Sequence, residues 1–337
     1  MEKWITQAWY GGVQWTWIFW PLMLLYRFVV KRKRAAYLLQ PPVACGLPVV
    51  VVGNITAGGT GKTPVVQALV HALQSNGYRA AIVTRGYGGS LDQFPHLISK
   101  ADSPAKVGDE PFMMFTAMSV PIVVDPKRAR AAQYCAQQLD VDLVICDDGL
   151  QHYALARDIE ICVVDAQREF GNGQLIPVGP LREPLTRLNA VDYVLRNGEP
   201  TQAVKANSAP LSFQLAPVAW VNLKTQQRLA PTELAQGIKG QAVRSLAGIG
   251  NPQRFFNTVA QLGIQSETLA YPDHHAYSKD DFKDTSITYL MTQKDAIKVQ
   301  PFAEQNMWYL EVSAQLPDAM LTAFLQQIAE LTGRKHG

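Results

Sequence analysis

Residues 48–63 read PVVVVGNITAGGTGKT, from Pro48 to Thr63, and this stretch decides the fold. Val49, Val50, Val51 and Val52 form a run with no polar face, the pattern of a strand covered on both sides of a parallel sheet. The run leads into Thr56, Ala57, Gly58, Gly59, Thr60, Gly61, Lys62 and Thr63. These match G-x-x-x-x-G-K-[ST] at every fixed position except the first, where Thr56 stands for glycine. Glycines let backbone N–H groups converge on an anion, and the helix that follows adds its positive end. In that setting Lys62 reaches the β- and γ-phosphates of a nucleotide and the Thr63 hydroxyl ligates Mg2+. Pro64 falls in the first turn of a helix predicted over 65–73, where a missing N–H costs least.

Further short apolar runs follow at 80–84, 121–124, 142–146, 159–165 and 193–196, separated by polar or helical stretches such as 129–139. The alternation predicts an α/β domain of the P-loop NTPase type, a mostly parallel sheet with helices on both faces. Ligands of such sheets bind at the carboxyl ends of the strands. The run over 141–149, VDLVICDDG, ends in Asp147 and Asp148, a pair suited to holding Mg2+ and orienting a ligand. Which of the two touches the metal is open. Around 197–210 the chain turns polar and loses periodicity, which predicts a linker. A smaller α/β domain is expected beyond it, with strands near 211–215, 243–249 and 308–312 and helices at 253–262 and 318–332. The predicted organisation is therefore a membrane-association segment (1–34), a P-loop domain (35–200) and a C-terminal domain contributing to the site (201–337).

Hydrophobic residues make up 47 % of the 337 and charged residues 18 %, with a net charge of +3, so nothing demands a nucleic-acid partner. The charge is concentrated instead, with Arg27, Lys31, Arg32, Lys33 and Arg34 close together. Cys45, Cys135, Cys146 and Cys162 are scattered without metal-ligand spacing and read as reduced thiols of a cytoplasmic protein. Trp4, Trp9, Trp15, Trp17 and Trp20 fall within the first twenty residues, and the apolar stretch over 15–30 has one charge, Arg27. Positive charge after the apolar stretch, with no small-residue cleavage site, excludes a secretory signal. As a helix the stretch spans about 24 Å, short of a bilayer core of about 30 Å, and Pro21 is expected to interrupt it. A shallow or partly inserted helix with an aromatic belt is predicted, on the anionic cytoplasmic leaflet, which attracts basic residues by ~1 kcal/mol each. The alternative, an apolar helix folded against the protein's own core, has the tryptophan density against it.

A phosphate cradle does not choose between hydrolysis and transfer. Membrane-associated switch ATPases share the glycine spacing but carry a second lysine just before the glycine pair, where this chain has Ala57. A kinase needs a base beside the attacking hydroxyl and cations for the developing charge. Candidates are Asp109 and Glu110, placed on a loop after Gly108, Arg85 after the second strand, the glycine- and proline-rich segment 170–184, and the cluster at 271–275, Tyr-Pro-Asp-His-His.

Taken together, GNITAGGTGKTP from Gly53, TRGYGG from Thr84, VGDEP from Val107, DDGLQHYALARD from Asp147, FGNGQLIPVGPLREP from Phe170 and PDHHAY from Pro272 resemble the tetraacyldisaccharide 4′-kinase (lipid A 4′-kinase) family over nearly the whole chain. TQKDAIK from Thr292 is a looser match, with Gln293 where an acid is expected, which leaves Lys294 and Asp295 without a role. The resemblance implies transfer of the γ-phosphate of ATP, with Mg2+, to the 4′-hydroxyl of a tetraacyl disaccharide 1-phosphate. The reaction would take place on the cytoplasmic face of a Gram-negative inner membrane, in the biosynthesis of lipopolysaccharide; a monomer is expected, though the sequence leaves the oligomeric state open. By motif it makes Asp109 and His274 an acceptor-activating dyad, puts Glu110, Asp147 and Asp148 on the Mg2+ side, and assigns Arg85, Arg128, Arg182 and Glu183 to phosphate or headgroup.

Overall fold

A computed structural model describes residues 2–12, 15–39, 42–199, 211–273 and 275–333. Two helices, α1 (Glu2–Tyr10) and α2 (Trp20–Leu39), are joined through a 3-10 turn at Trp15–Phe19. The P-loop unit follows as β1 (Val49–Gly53), α3 (Lys62–Ser75), β2 (Ala80–Thr84), β3 (His96–Leu97), α4 (Pro104–Val107), α5 (Asp109–Ala117), β4 (Ile122–Val124), α6 (Arg128–Gln138), β5 (Leu143–Asp147), β6 (Ile159–Asp165) and β7 (Tyr193–Asn197). Beyond 210 come β8 (Leu211–Asn222), β9 (Arg228–Leu229), α7 (Pro231–Gly237), β10 (Val243–Ala247), α8 (Pro252–Gln261), β11 (Glu267–Ala270), β12 (Thr288–Thr292), α9 (Gln293–Val299), β13 (Met307–Gln315) and α10 (Asp318–Thr332).

The strands form one continuous sheet in the order β11-β10-β12-β13-β8-β7-β6-β1-β5-β2-β4-β3, with β9 on β8. It is parallel from β7 across to β4 and again from β11 to β13. The pairings β13–β8, β8–β9 and β3–β4 are antiparallel. Every residue of β1, β2, β5 and β6 is buried, as the valine run at 49–52 requires. Successive residues of β1 point to opposite faces, so Val50 and Val52 enter one core, under α3 and α5, and Val49 and Val51 enter the other, against α6. The long strand β8 carries the sheet across the polar stretch: Leu211, Ser212 and Phe213 pair with β7, and 214–222 pair with β13. The strand predicted at 211–215 runs on through Pro217, which lies opposite a register shift between Glu311 and Val312, an irregularity that tolerates a missing N–H. The chain's last helix returns to the P-loop core, where Met320, Phe324 and Ile328 of α10 are buried beside Leu69 and Leu73 of α3.

Two expectations are corrected. Asp109 and Glu110 do not lie on a loop; they open α5, and Gly108 at φ 97° is the hinge between α4 and α5. Acids in a first helical turn suit the helix dipole, and Pro111 at the third position is tolerated there. Pro21 does not interrupt the N-terminal apolar helix; it is the second residue of α2. Of the four cysteines, Cys135, Cys146 and Cys162 are buried and Cys45 is half-buried.

Candidate active site

The loop after β1 is braced by hydrogen bonds with other segments and from its own Asn54. Ala57 N–H donates to Pro180 O at 2.8 Å, Arg182 N–H to Ile55 O at 2.7 Å, Asn54 Nδ2 to Gly58 O at 3.1 Å, and Asn197 Nδ2 to Thr60 O at 3.1 Å. Gly61 stands at φ 89°, and a Cβ there would lie 2.4 Å from Asn197 Nδ2, so both conformation and space require glycine. From the other side Gly250 presses on the loop, its hypothetical Cβ 3.0 Å from Gly59 N. The segment behind Gly250 is fastened by Arg254, whose Nη2 lies 3.1 Å from Asp165 Oδ2 and donates to Asn197 O at 3.2 Å.

This loop forms one wall of a cleft of about 820 Å³ at the carboxyl ends of the parallel strands. Gly58, Gly59, Gly61, Lys62 and Thr63 line it, together with Arg85, Asp109, Glu110, Arg128, Asp147, Asp148, Arg182 and Asp273. Other predicted residues stand behind the wall. Thr56 and Thr60 are buried, and the Ala57 N–H is committed to Pro180. Glu183 is buried and outside the cleft lining. Its carboxylate accepts from Gln151 Nε2 at 2.9 Å and from the Tyr153 hydroxyl, with Arg187 Nε at 3.6 Å. His274 lies outside the described residues. Asp273 beside it faces the cleft, and His275 stacks on Tyr271 with centroids 4.3 Å apart.

The paired acids at the end of β5 have opposite environments. Asp148, at φ 49°, meets Lys62 Nζ at 3.3 Å and Arg182 Nη1 at 3.3 Å. Burial works to raise its carboxyl, but those two cations outweigh it and hold the group below the usual carboxylate range. Asp147 is 3 % exposed, and its Oδ1 finds no hydrogen-bond partner among the described residues. Burial pushes this carboxyl up to about 7, with Lys62 opposing and Glu110 and Asp148 adding to the rise. An unpartnered buried carboxylate oxygen beside a triphosphate cradle fits a hard divalent cation. Among the described residues no group of three or more His, Cys, Asp or Glu could hold a metal by itself.

The side of the cleft facing the start of α5 is closed by the unit beyond 210. Lys294 Nζ lies 3.0 Å from Glu110 Oε1 and 3.1 Å from Asp273 Oδ1. Burial disfavours its charge, yet Glu110 and Asp273 more than offset this and raise its pKa. Lys298, one turn on, puts Nζ 3.7 Å from Asp109 Oδ2. Sequence reasoning missed Lys298, Asn197, Gly250 and Arg254. The lysine spacing in TQKDAIK is the one signal that could have pointed to any of them.

The family model for LpxK, tetraacyldisaccharide-1-P 4'-kinase, matches residues 15–330. The chain belongs to this family. Tetraacyldisaccharide 4'-kinase of Aeromonas hydrophila is 44 % identical over 330 residues, covering 96 % of each chain. The enzyme of that name from Hahella chejuensis is 41 % identical over 343 residues, covering 99 % of each. Among solved structures, LpxK from Aquifex aeolicus in complex with ATP superposes with a TM-score of 0.78 at 25 % identity, covering 94 % of this chain and 99 % of that one. In this member of the tetraacyldisaccharide 4'-kinase family, the braced loop and the acids Asp109, Glu110, Asp147 and Asp148 line one cleft.

The N-terminal helices are tied to the same wall. Trp9 Nε1 donates to Pro177 O at 3.1 Å, the Thr16 hydroxyl to Val178 O at 2.9 Å, and the Tyr26 hydroxyl to Arg182 O at 2.9 Å. Met23 is buried in the α6-side core, while Trp15, Trp17, Trp20, Leu22, Leu25 and Phe28 are exposed and Ile18 is 77 % exposed. Among the described residues no helix is long and apolar enough to cross a membrane.

Proposed function

We infer that this protein transfers the γ-phosphate of ATP to the 4′-hydroxyl of a tetraacyldisaccharide 1-phosphate. The observation that supports the reading is that one cleft is lined both by the braced glycine loop with Lys62 and Thr63 and by Asp109, Glu110, Asp147 and Asp148. Phosphoryl transfer depends on positioning and charge neutralisation, and this cleft offers both. Lys62 is the catalytic cation, meeting the β- and γ-phosphates as the bond to the β-phosphate oxygen breaks. Asp109 accepts the proton of the attacking 4′-hydroxyl, with His274 orienting or sharing it. Arg85, Arg128 and Arg182 meet phosphate or headgroup charge, and Glu183 acts behind them by holding Gln151 and Tyr153. Thr63, Asp147, Asp148 and Glu110 would hold Mg2+, which when bound would supply charge neutralisation for the transfer. Residues 35–200 hold the nucleotide and 201–337 complete the acceptor side, so transfer awaits both substrates.

The exposed aromatic face of residues 1–34 supports docking on the anionic cytoplasmic leaflet of the inner membrane, where the acceptor's acyl chains stay in the lipid. The deciding experiment supplies γ-labelled ATP and acceptor lipid in vesicles. Label on the lipid is expected; label released only as free phosphate, whatever lipid is present, would instead mark a membrane-associated ATPase switch.

A further inference from the structure

Helix α9 presents two cations to two acids at the cleft. Lys294 and Lys298 are four residues apart and therefore share one helix face. Asp109 and Glu110, adjacent at the start of α5, take one each. The lysine ends are withdrawn from solvent, Lys294 at 15 % exposed, although Glu110 at 44 % and Asp109 at 27 % still face the open cleft. The Lys298 side chain is 9 % exposed, and its ammonium has no hydrogen-bond partner among the described residues. A buried ammonium without hydrogen bonds is costly, so fold stability alone explains it poorly.

The face is held rigidly. Asp295 is fully buried and accepts from the Gly248 N–H at 3.2 Å, the Tyr277 hydroxyl at 3.1 Å and the Thr292 hydroxyl at 2.6 Å. Thr292 also caps α9 by accepting from Asp295 N–H. A Cβ on Gly248 would lie 3.0 Å from Tyr277 Oη and 3.1 Å from Asp295 Oδ1, so a side chain there would push these partners by a few tenths of an ångström. One carboxylate thus joins the segment behind Gly250, the turn behind Asp273 and the start of α9.

We propose that Lys294 and Lys298 are positioning residues for phosphoryl transfer, holding Asp109 and Glu110 at the acceptor end of the cleft from the opposite unit. The assignment rests on the reading in which Asp109 serves the acceptor hydroxyl and Glu110 the metal side. Asp109, Glu110, Asp147 and Asp273 all line one cleft, and like charges so gathered spread apart unless cations stand between them. A cation delivered by α9 also makes the arrangement depend on the two units being together.

The test uses full-length enzyme in acceptor-containing vesicles, with Lys294→Met, Lys298→Met, the two Lys→Arg variants, and Lys283→Met as a remote-charge control. Each Met variant is expected to lower kcat about 10- to 100-fold while the KM for ATP stays within about threefold, and Arg to recover kcat to within about fivefold of wild type. If a Met variant does not fold, Lys→Gln carries the same comparison. A kcat within about twofold of wild type in the Met or Gln variants overturns the proposal, as does a loss that Arg does not rescue and that weakens ATP binding equally. Failure of the wild type to label the lipid at all would instead overturn the kinase reading.

Discussion

Asp109 carries the sharpest prediction at the scale of single residues. Asp109→Ala and His274→Ala should each lose lipid phosphorylation by about 10²- to 10⁴-fold while binding ATP as wild type does. Near-normal turnover in either variant, measured with saturating substrates, removes that residue from the dyad. Asp147 predicts a pH dependence. Its carboxyl, raised by burial to about 7, must ionise to hold a cation, so affinity for Mg–ATP should fall about tenfold from pH 8 to pH 6. The ligand-free fold has the opposite dependence on this group. A folded pKa above the unfolded value stabilises at low pH, and the contribution is lost as pH rises through about 7. Titration calorimetry across this range, with Asp147→Asn as the comparison, reads the first effect; a flat wild-type profile would contradict it. The glycines and Lys62 are legible in sequence because backbone chemistry prescribes them. The neighbours Asn197, Gly250 and Arg254 are not, since each acts through a contact between segments distant in the chain.

At the scale of elements, the buried parallel strands are legible because an unbroken valine or isoleucine run has few other uses. The edge strand β11, Glu-Thr-Leu-Ala, is largely exposed and has no apolar pattern to read. The short run of β12 cannot be told from a helix segment by periodicity. Asp109-Glu110-Pro111 bears the composition of a helix start, yet a glycine before it and a proline within it equally suggest a turn. For the N-terminal element, exposure decides the experiment. Trp17→Glu and Phe28→Glu place charge on its outward face, 44 % and 59 % exposed, and should weaken binding to anionic vesicles by at least about tenfold in cosedimentation. Binding of ATP should be unchanged, because neither side chain lines the cleft. Removing 1–34 altogether should also release the protein from membranes, but it takes away Tyr26, which holds the Arg182 carbonyl.

At the scale of the molecule, the destination of α10 was not legible. Its apolar spacing announces a packed helix, but not that it crosses back to the core under α3. Phe324 is fully buried there, so Phe324→Ala should cost about 3–5 kcal/mol in denaturant unfolding, whereas a loss below about 1 kcal/mol would show the contact to be dispensable. That return, with the continuous strand β8, makes the two units share one sheet and part of one core. The cleft between Gly59 and Gly250 is therefore framed by elements whose placement depends on the whole chain.

Phosphorus NMR of the lipid recovered after reaction with ATP and Mg2+ tests the central claim most directly. One new phosphomonoester, coupled to the proton on C-4′ and formed in equal amount to the ATP consumed, is the predicted result. Unchanged lipid with an equivalent of inorganic phosphate, or a new monoester on any other carbon, would contradict it.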